Sequence, residues 1–475
     1  MCKQILFILS TFALLMYPLS LSAQDSTAGD QALTPDFDGD GQVGFPDFLA
    51  FVSQFGARQG DGRYDARYDL DSDGEIGFSD FLIFSSSFGK DENLRAVIEG
   101  LLGKASGAPI TRSEMVRLMR IEARNANIRD LTGLEFATRL TILDFGAERV
   151  EGQFVNSNSI SDLTSLSGLT DLTYLYLTDN DITAVTPLSG LSSLERLDLS
   201  GNSISVVTPL SGLTNLAWLF LSSNGITDLT PLSDLAGLRS LRLSDNIITD
   251  ITPLSGLGSL GSLSLSYNDI SDLTPLSGLG SLRSLSLFYN GISDLTPLSG
   301  LTDLTYLYLI GNRLTDLTPL SGLTNLTYLY LNDNGISGLT PLSGLTRLTT
   351  LSLSVNSITD VTPLSGLTNL TNLALDRNGI TDLTPLSSMT RLERLILFAN
   401  SISDLSPLVA NTGLGTGDLV DVERNPLSAM SYQTHIPALQ DRGVIVIIGA
   451  PKSAVEKKEL LEIEEWERKD VIRSR

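Results

Sequence analysis

Most of the chain repeats a single pattern of apolar and polar positions. Asparagines recur at an unbroken spacing of 22 residues, and leucines occupy fixed places around each one. In one unit Leu304, Leu307 and Leu309 precede Asn312, and Leu314 follows it. A unit this short cannot enclose a core, so it is stable only when its leucines stack against those of its neighbours. The twelve asparagines are Asn158, Asn180, Asn202, Asn224, Asn246, Asn268, Asn290, Asn312, Asn334, Asn356, Asn378 and Asn400.

Each unit predicts two short elements. The Leu-x-Leu pair before the asparagine predicts a strand with both leucines facing inward, and the asparagine amide can satisfy backbone groups in the bend that follows. Beyond the bend, Thr-Pro-Leu-Ser-Gly-Leu predicts a short helical turn, which Thr318 caps and in which Pro319 takes the first position. An aspartate four residues after most asparagines predicts local hydrogen bonds to the backbone. These aspartates are Asp228, Asp250, Asp272, Asp294, Asp316, Asp360, Asp382 and Asp404.

This pattern is typical of a leucine-rich repeat, and its length together with the Asp-Leu-Thr-Pro phrase resembles the internalin class. The resemblance implies an α/β solenoid, a horseshoe with short parallel strands and convex 3₁₀ turns. Ten extra residues before Asn158 predict a protruding loop near 146–157. We expect a helical amino-terminal cap at 91–117, repeats of period 22 at 118–425, a carboxyl-terminal cap at 426–450 and a charged tail at 451–475. Within the caps, helices are expected at 91–102, 111–118 and 431–442, and a last strand at 444–448.

Two carboxylate-rich loops lie nearer the amino terminus. Residues 36–47 and 69–80 match position by position, with aspartate at positions 1, 3, 5 and 12 and glycine at position 6. Alternate carboxylates on a tightly turning chain converge on one point, and calcium takes about 6–8 oxygen ligands. We therefore expect each loop to bind one calcium ion. The expected ligand positions are Asp36, Asp38, Asp40, Gln42 (by its carbonyl) and Asp47 in the first loop, and Asp69, Asp71, Asp73, Glu75 (by its carbonyl) and Asp80 in the second.

An apolar segment with three phenylalanines follows each loop. In the first segment Phe48, Phe51 and Phe55 fall on one face of a helix, and residues 81–89 repeat the arrangement. The tandem resembles the dockerin type of EF-hand pair, in which position 12 is aspartate. The resemblance implies a small all-α calcium module over residues 33–90, with a cohesin-like protein as an alternative partner. Repulsion among its acidic residues predicts that the module loosens without the cation.

The first residues have the layout of an export signal. Lys3 precedes an apolar run that ends near Met16, and small residues then offer a cleavage site, so we expect residues 1–24 to be removed. No later segment of the sequence has the ~20 apolar residues that an integral membrane span needs. The expected location is therefore secreted, extracellular or at the cell surface, after bacterial-type export.

Composition narrows the expected function to recognition. The 475 residues carry a formal net charge of −23, which argues against nucleic acid as a partner, because phosphate binding needs clustered lysine and arginine. The chain has one cysteine, Cys2, and one histidine, His435. The mature chain then has no thiol nucleophile and no pair of histidines. We therefore expect a protein that is not an enzyme and that is a monomer.

The variable positions of the repeat lie on the predicted concave face. Residues six and four places before each asparagine alternate with the inward leucines and point outward. Tyrosine and tryptophan are frequent anchors of interfaces, so aromatic residues at these positions predict a site for a protein ligand. A glycan that stacks on the rings stays an alternative. The candidate ligand-binding residues are Tyr174, Tyr176, Trp218, Phe220, Tyr306, Tyr308, Tyr328 and Tyr330.

Overall fold

The structure is a computed structural model. It describes residue 37 and residues 45–70, 74–77, 91–108, 110–150, 153–155 and 158–449. The chain divides into two compact units, Met1–Lys90 and Asp91–Arg475. The expected export signal and the charged tail lie outside the described residues. Within the described part, no helix combines the length and the apolar character that crossing a bilayer requires.

The amino-terminal unit contains the first of the two predicted phenylalanine helices. Helix α1 covers Phe45–Gln54, and Phe48 and Phe51 are buried on its inner face. They belong to one apolar cluster with Tyr68, the last residue of the 3₁₀ turn Ala66–Tyr68. The prediction that this helix has an apolar phenylalanine face is confirmed. The second phenylalanine segment lies outside the described residues.

The leucine-rich repeats form one parallel sheet of fifteen strands, and a separate hairpin supplies two more. Neighbouring strands pair at a shift of one repeat, so that Tyr306 lies opposite Tyr328 and Leu307 opposite Leu329. The inward leucines of all repeats belong to one continuous core, which confirms the predicted solenoid. The strands are β1 Arg120–Glu122, β2 Ile142–Asp144, β3 Glu148–Val150 and β4 Gln153–Val155 (the hairpin), β5 Tyr174–Tyr176, β6 Arg196–Asp198, β7 Trp218–Phe220, β8 Ser240–Arg242, β9 Ser262–Ser264, β10 Ser284–Ser286, β11 Tyr306–Tyr308, β12 Tyr328–Tyr330, β13 Thr350–Ser352, β14 Asn372–Ala374, β15 Arg394–Ile396, β16 Leu419–Asp421 and β17 Ile445–Ile447.

A short 3₁₀ turn forms in each repeat where the Thr-Pro phrase predicts it. One such turn covers Thr318–Leu320, with Pro319 second and Leu317 in the cap position. The predicted capping role of Thr318 is therefore wrong. Instead Asp316 Oδ1 accepts a hydrogen bond from the Thr318 amide (2.8 Å), because the aspartate reaches the free N–H at the start of the turn. The other turns are Leu134–Phe136, Thr164–Leu166, Thr186–Leu188, Thr208–Leu210, Thr230–Leu232, Thr252–Gly256, Thr274–Leu276, Thr296–Leu298, Thr340–Leu342, Thr362–Leu364 and Thr384–Ser388.

The repeated asparagines form the hydrogen-bonded column that the pattern predicted. Asn268 Nδ2 donates to the carbonyl oxygens of Leu243 (3.0 Å), Leu265 (3.0 Å) and Ser266 (3.2 Å). Its Oδ1 accepts from the Ile248 amide at 2.9 Å. One side chain thus satisfies buried backbone groups of two adjacent repeats. This explains why the residue type does not vary.

The ten extra residues before Asn158 form an excursion that leaves the column unbroken. Strands β3 and β4 pair antiparallel within it. Asn158 Nδ2 donates to the carbonyl oxygens of Ala123 and Phe145, both at 3.0 Å. Its Oδ1 accepts from the amide of Ile128 at 2.9 Å. The insertion is therefore accommodated outside the stack, as the predicted loop requires.

Helical caps close both ends of the solenoid, as expected from the sequence. Asp91 caps the helix that follows it, accepting from the amides of Asn93 and Leu94 at 2.9 and 3.0 Å. The predicted helix at 111–118 is shorter than expected, with a capping box between Thr111 and Glu114. At the other end, His435 Nδ1 lies 3.3 Å from Asp404 Oδ1. The cap elements are α2 Glu92–Leu102, α3 Arg112–Met115, α4 Ser406–Ala410, the π-helix Ser431–His435 and α5 Ile436–Gln440.

Candidate functional site

The residue before each asparagine from Asn180 to Asn400, like the residue before Asn425, adopts a left-handed conformation that the repeat pattern did not predict. Such a conformation turns the chain sharply after the strand and costs roughly 1–2 kcal/mol for a residue other than glycine. The frequent aspartate, serine and glycine at this place are the signal that could have revealed it. The φ angles lie between 53° and 70° at Asp179, Gly201, Ser223, Asp245, Tyr267, Tyr289, Gly311, Asp333, Val355, Arg377, Ala399 and Arg424.

This left-handed column adds tyrosines to those predicted on the strands. The rings of Tyr267 and Tyr289 stack at a centroid distance of 4.8 Å and an interplanar angle of 17°. The Phe288 ring meets the Tyr267 ring edge-on at 5.2 Å. These rings extend the predicted tyrosine cluster into one surface, which we call the aromatic patch. The aromatic patch comprises Tyr267, Phe288, Tyr289, Tyr306, Tyr308, Ile310, Tyr328 and Tyr330.

Two stacked tyrosine pairs form the part of the aromatic patch that the sequence predicted. Tyr306 stacks on Tyr328 at 4.8 Å and 11°, and Tyr308 stacks on Tyr330 at 5.0 Å and 9°. Their exposure differs: Tyr306 is 39% exposed, whereas Tyr308 and Tyr330 are 8% and 3% exposed. The inner pair packs with Phe288 as a small apolar cluster. The outer pair is therefore the one that can contact a partner.

The register of the sheet places no aromatic residue opposite the outer stack on its β10 side. Tyr306 lies opposite Ser284, and Tyr308 lies opposite Ser286. A serine is too short to cover a tyrosine face at the strand spacing of about 4.8 Å. The ring of Tyr306 therefore ends the outer stack beside strand β10, whereas Tyr308 packs with Phe288 and is buried.

The predicted residues on β5 to β7 form a different arrangement, which we call the arginine–phenylalanine stack. The Phe220 ring lies between the guanidinium groups of Arg196 (4.8 Å) and Arg242 (4.6 Å) and is 4% exposed. Arg196 also lies over the Tyr176 ring at 5.4 Å. Phe220 is thus covered by neighbouring side chains, so this candidate ligand-binding residue is not open to a partner. Tyr174, Tyr176 and Trp218 stay partly exposed.

Burial controls the electrostatics of this stack. It raises the pKa of the Asp198 carboxyl, although Arg196 and Arg242 act in the opposite direction. It lowers the pKa of the Arg242 guanidinium, against the effect of Asp198. Burial also raises the pKa of the Tyr176 hydroxyl. Water reaches these charges poorly. Burial and the attraction between Asp198 and the two arginines therefore act on their pKa values in opposite directions.

The second carboxylate loop is partly described, and its glycine adopts a left-handed conformation. Gly74, at position 6, has a φ of 89°, and its amide donates to Asp69 Oδ2 at 3.0 Å. The Tyr64 hydroxyl donates to the same oxygen at 2.5 Å. Glu75, expected to contribute only its carbonyl, makes an ion pair with Arg58 at 2.9 Å.

The first loop is described only at its ends. Asp47, at position 12, is fully buried, and its Oδ1 accepts from the Phe37 amide at 2.6 Å. This bond brings the end of the loop back to its second residue. Among the described residues, no group of three or more metal-ligating side chains is assembled. The other expected ligands, Asp36, Asp38, Asp40, Gln42, Asp71, Asp73 and Asp80, lie outside the described residues.

The repeats match two descriptions of the leucine-rich repeat. "Leucine Rich repeats (2 copies)" matches residues 214–256, 280–322, 302–344, 324–366 and 346–388. "Leucine rich repeat" matches residues 184–226 and 236–292. No curated protein sequence matches the chain.

Solved structures share the solenoid. A leucine-rich repeat protein of Leptospira interrogans is 21% identical, with a TM-score of 0.60 over 70% of this chain and 97% of its own, which shows the fold. The functional domain of InlJ from Listeria monocytogenes is 25% identical, with a TM-score of 0.53 over 70% of this chain and 80% of its own. An internalin, InlF, from the same species is 34% identical, with a TM-score of 0.65 over 68% of this chain and 93% of its own. The chain therefore belongs to the internalin-like family of leucine-rich repeat proteins.

Proposed function

We propose that this chain is an exported, non-enzymatic protein that recognises a protein ligand through the aromatic patch. The observation that carries the proposal is the exposure of Tyr289 (44%) and Tyr306 (39%) on a base of buried rings. A ring held in place by its neighbours loses little rotational freedom when a partner binds, so more of the contact energy appears as affinity. Tyrosine also offers a polar hydroxyl at the edge of an apolar contact.

The charge distribution supports recognition on this face. The eleven seven-residue segments that end just before Asn180 to Asn400 hold seven acidic and six basic residues. Residues 158–404 as a whole hold 21 acidic and 9 basic residues. The acidic excess is therefore carried by the other parts of each repeat. A nearly neutral concave face avoids the desolvation cost that unpaired charges impose on an interface.

A capture experiment followed by affinity measurement tests this proposal. The mature protein is the bait, and each captured protein is then purified and titrated against a Tyr289→Ser/Tyr306→Ser variant. We expect an affinity loss of at least tenfold, because interface tyrosines are frequent hot spots. Tyr432→Ser is the matched control, because Tyr432 is 48% exposed but lies in the carboxyl-terminal cap. Full affinity in the double variant, or an equal loss in the control, would refute recognition by the patch.

We further propose that the amino-terminal unit binds calcium. The observation that favours it is the bond from the Gly74 amide to Asp69 Oδ2 across a left-handed glycine. This bond ties position 1 of the loop to its sharp turn, and a calcium ion would draw the carboxylates at alternate positions toward one point. The ion would supply the positive charge that the repelling carboxylates need.

Calorimetric titration of the mature protein with calcium tests this second proposal. We expect two ions per chain, and one ion in each of the variants Asp36→Ala and Asp69→Ala. Asp294→Ala is the control, because Asp294 is an exposed aspartate whose carboxylate accepts from the Thr296 amide at 2.8 Å. No binding heat in the parent protein, or unchanged stoichiometry in both loop variants, would disprove the site.

A further inference from the structure

A polar cavity of about 230 Å³ opens beside the aromatic patch. Its wall is built from residues seven and nine places before the asparagine, contributed by four successive repeats. Thr305 and Thr327 directly precede Tyr306 and Tyr328, so the cavity lies where the outer tyrosine pair begins. The lining residues are Arg283, Asp303, Thr305, Asn325, Thr327 and Arg347.

The polar groups of this cavity are held in position and keep hydrogen-bonding capacity. Asn325 Nδ2 donates to the Thr302 carbonyl oxygen at 2.9 Å, and Asn325 Oδ1 accepts from Arg347 Nη1 at 2.5 Å. Arg347 uses one of its N–H groups in this bond and offers the rest to a ligand. Arg283 is exposed and makes no ion pair with another described residue.

We propose that this cavity, together with the ring of Tyr306, binds the terminal or internal residue of an acidic polysaccharide, a uronic acid. The wall has no apolar side chain, so it excludes an apolar anchor. Planar arginine, aspartate and asparagine groups match the adjacent hydroxyls of a sugar, and a guanidinium binds a carboxylate through two parallel hydrogen bonds. The cavity is smaller than the ~300–1,000 Å³ that drug-sized ligands occupy, which suits a single sugar ring.

The charge and the aromatic neighbour select the sugar class. Two arginines and one aspartate give the wall a net positive charge in a chain of net charge −23. Local positive charge in an acidic protein favours an anionic ligand. The apolar face of the sugar packs on the Tyr306 ring, which is 39% exposed. The Asp303 carboxylate accepts hydrogen bonds from the sugar hydroxyl groups. The site therefore binds a polyhydroxylated anion more tightly than a simple anion.

This site shares Tyr306 with the aromatic patch, but it also needs residues that the patch does not contain. It depends on Arg283 and Arg347, which lie outside the patch, whereas Tyr289 belongs to the patch and does not line the cavity. Loss of sugar binding in arginine variants with an intact protein ligand, or the reverse in a Tyr289→Ser variant, tells the two functions apart.

Calorimetric titration of the mature protein with trigalacturonate tests the site. The neutral galactotriose and a hexa-aspartate peptide are the comparison ligands. We expect trigalacturonate to bind at least tenfold more tightly than either. Arg283→Ala, Arg347→Ala and Tyr306→Ser should each weaken its binding at least fivefold.

The chain offers a matched control for the arginine variants. Arg391 Nη1 donates to Asn369 Oδ1 at 2.8 Å, two repeats further along, in the same way that Arg347 contacts Asn325. The strand beside it begins with Asn372 instead of a tyrosine. Arg391→Ala should leave trigalacturonate binding unchanged. Absence of binding, an equal loss in Arg391→Ala, or equally tight binding of hexa-aspartate without dependence on Tyr306 would each overturn the proposal.

Discussion

Two stretches of the same concave surface carry aromatic residues, but Phe220 in one is covered, whereas Tyr289 and Tyr306 in the other are exposed. In the arginine–phenylalanine stack, guanidinium groups cover both faces of Phe220. In the aromatic patch, tyrosines stack on tyrosines, and the next strand back carries Ser284 and Ser286. Side chains one repeat away can therefore turn an aromatic ring from a surface element into a core element. An aromatic side chain in a solenoid has to be judged together with its two neighbours in the same column.

The largest expected effect comes from truncating an inner ring of the patch. Tyr330→Ala should lower the free energy of unfolding by about 3 kcal/mol, because it leaves a cavity where a ring that is 3% exposed had packed. Tyr306→Ala should cost less than ~1 kcal/mol, since exposed positions lose little on truncation. Urea unfolding curves of both variants check the difference. Equal losses would contradict the division into inner and outer rings.

Asp421 occupies the repeat position that corresponds to Tyr330, and its charge should make the free energy of unfolding depend on pH. Asp421 lies four residues before Asn425, and burial raises the pKa of its carboxyl to about 6. The folded state then binds a proton more tightly than the unfolded state, so stability falls as pH rises from about 4 to about 6 and is constant above. Asp421→Asn should remove most of this slope.

Thermal unfolding between pH 3.5 and pH 8 checks the Asp421 prediction. Asp294→Asn is the control, because hydrogen bonds from Thr296 lower the pKa of Asp294. Its contribution is lost only as pH falls below the ordinary carboxyl range, outside the window that Asp421 controls. A slope as steep in Asp421→Asn as in the parent protein would contradict this assignment.

An intermediate loss of stability is expected from substituting Gly311, which lies against the Tyr289 ring of the aromatic patch. Gly311 has a φ of 66°, and an added Cβ would overlap the Tyr289 ring. Gly311→Ala should therefore cost about 1–3 kcal/mol and weaken binding of a patch ligand by displacing Tyr289. Gly322→Ala is the matched control, because its nearest neighbour is the Ser299 carbonyl oxygen at 3.9 Å. Denaturation and ligand titration of the two variants distinguish the sites.

The smallest effect is expected from neutralising the arginine–phenylalanine stack. Arg242→Met keeps an apolar stem over Phe220 and removes a charge whose burial is unfavourable, as the lowered pKa of Arg242 indicates. The lost cation–π attraction and the relieved desolvation offset each other, so we expect a change within ~1 kcal/mol. Arg239→Met on the exposed edge is the control. A loss above ~2 kcal/mol in unfolding experiments would show that the charge stabilises the stack.

The sequence predicted most of the solenoid because every repeat has the same apolar positions and the same buried backbone groups to satisfy. The Leu-x-Leu strand, the asparagine column and the proline turn all follow from apolar periodicity and from the need to satisfy buried backbone groups. The prediction of Thr318 as a cap was wrong, because Asp316 competes for the same amide. The left-handed residue before each asparagine was missed, because its side chain varies and its role is purely conformational.

The aromatic patch was predicted only in part. Tyr306, Tyr308, Tyr328 and Tyr330 were identified from their places on the strands. Tyr267 and Tyr289 were not included in the site, because their stacking follows from left-handed backbone angles. The burial of Phe220 could not be predicted, because it depends on the directions of the Arg196 and Arg242 side chains on the neighbouring strands.

The amino-acid sequence by itself determined the period, the direction of the strands, the buried leucines and the asparagine column, because these depend on contacts repeated at a fixed spacing along the chain. Only the tertiary structure decided which concave rings face solvent and which polar residues of separate turns meet at the edge cavity. Those outcomes depend on side-chain directions across three or more stacked repeats, and the repeat pattern places no constraint on them.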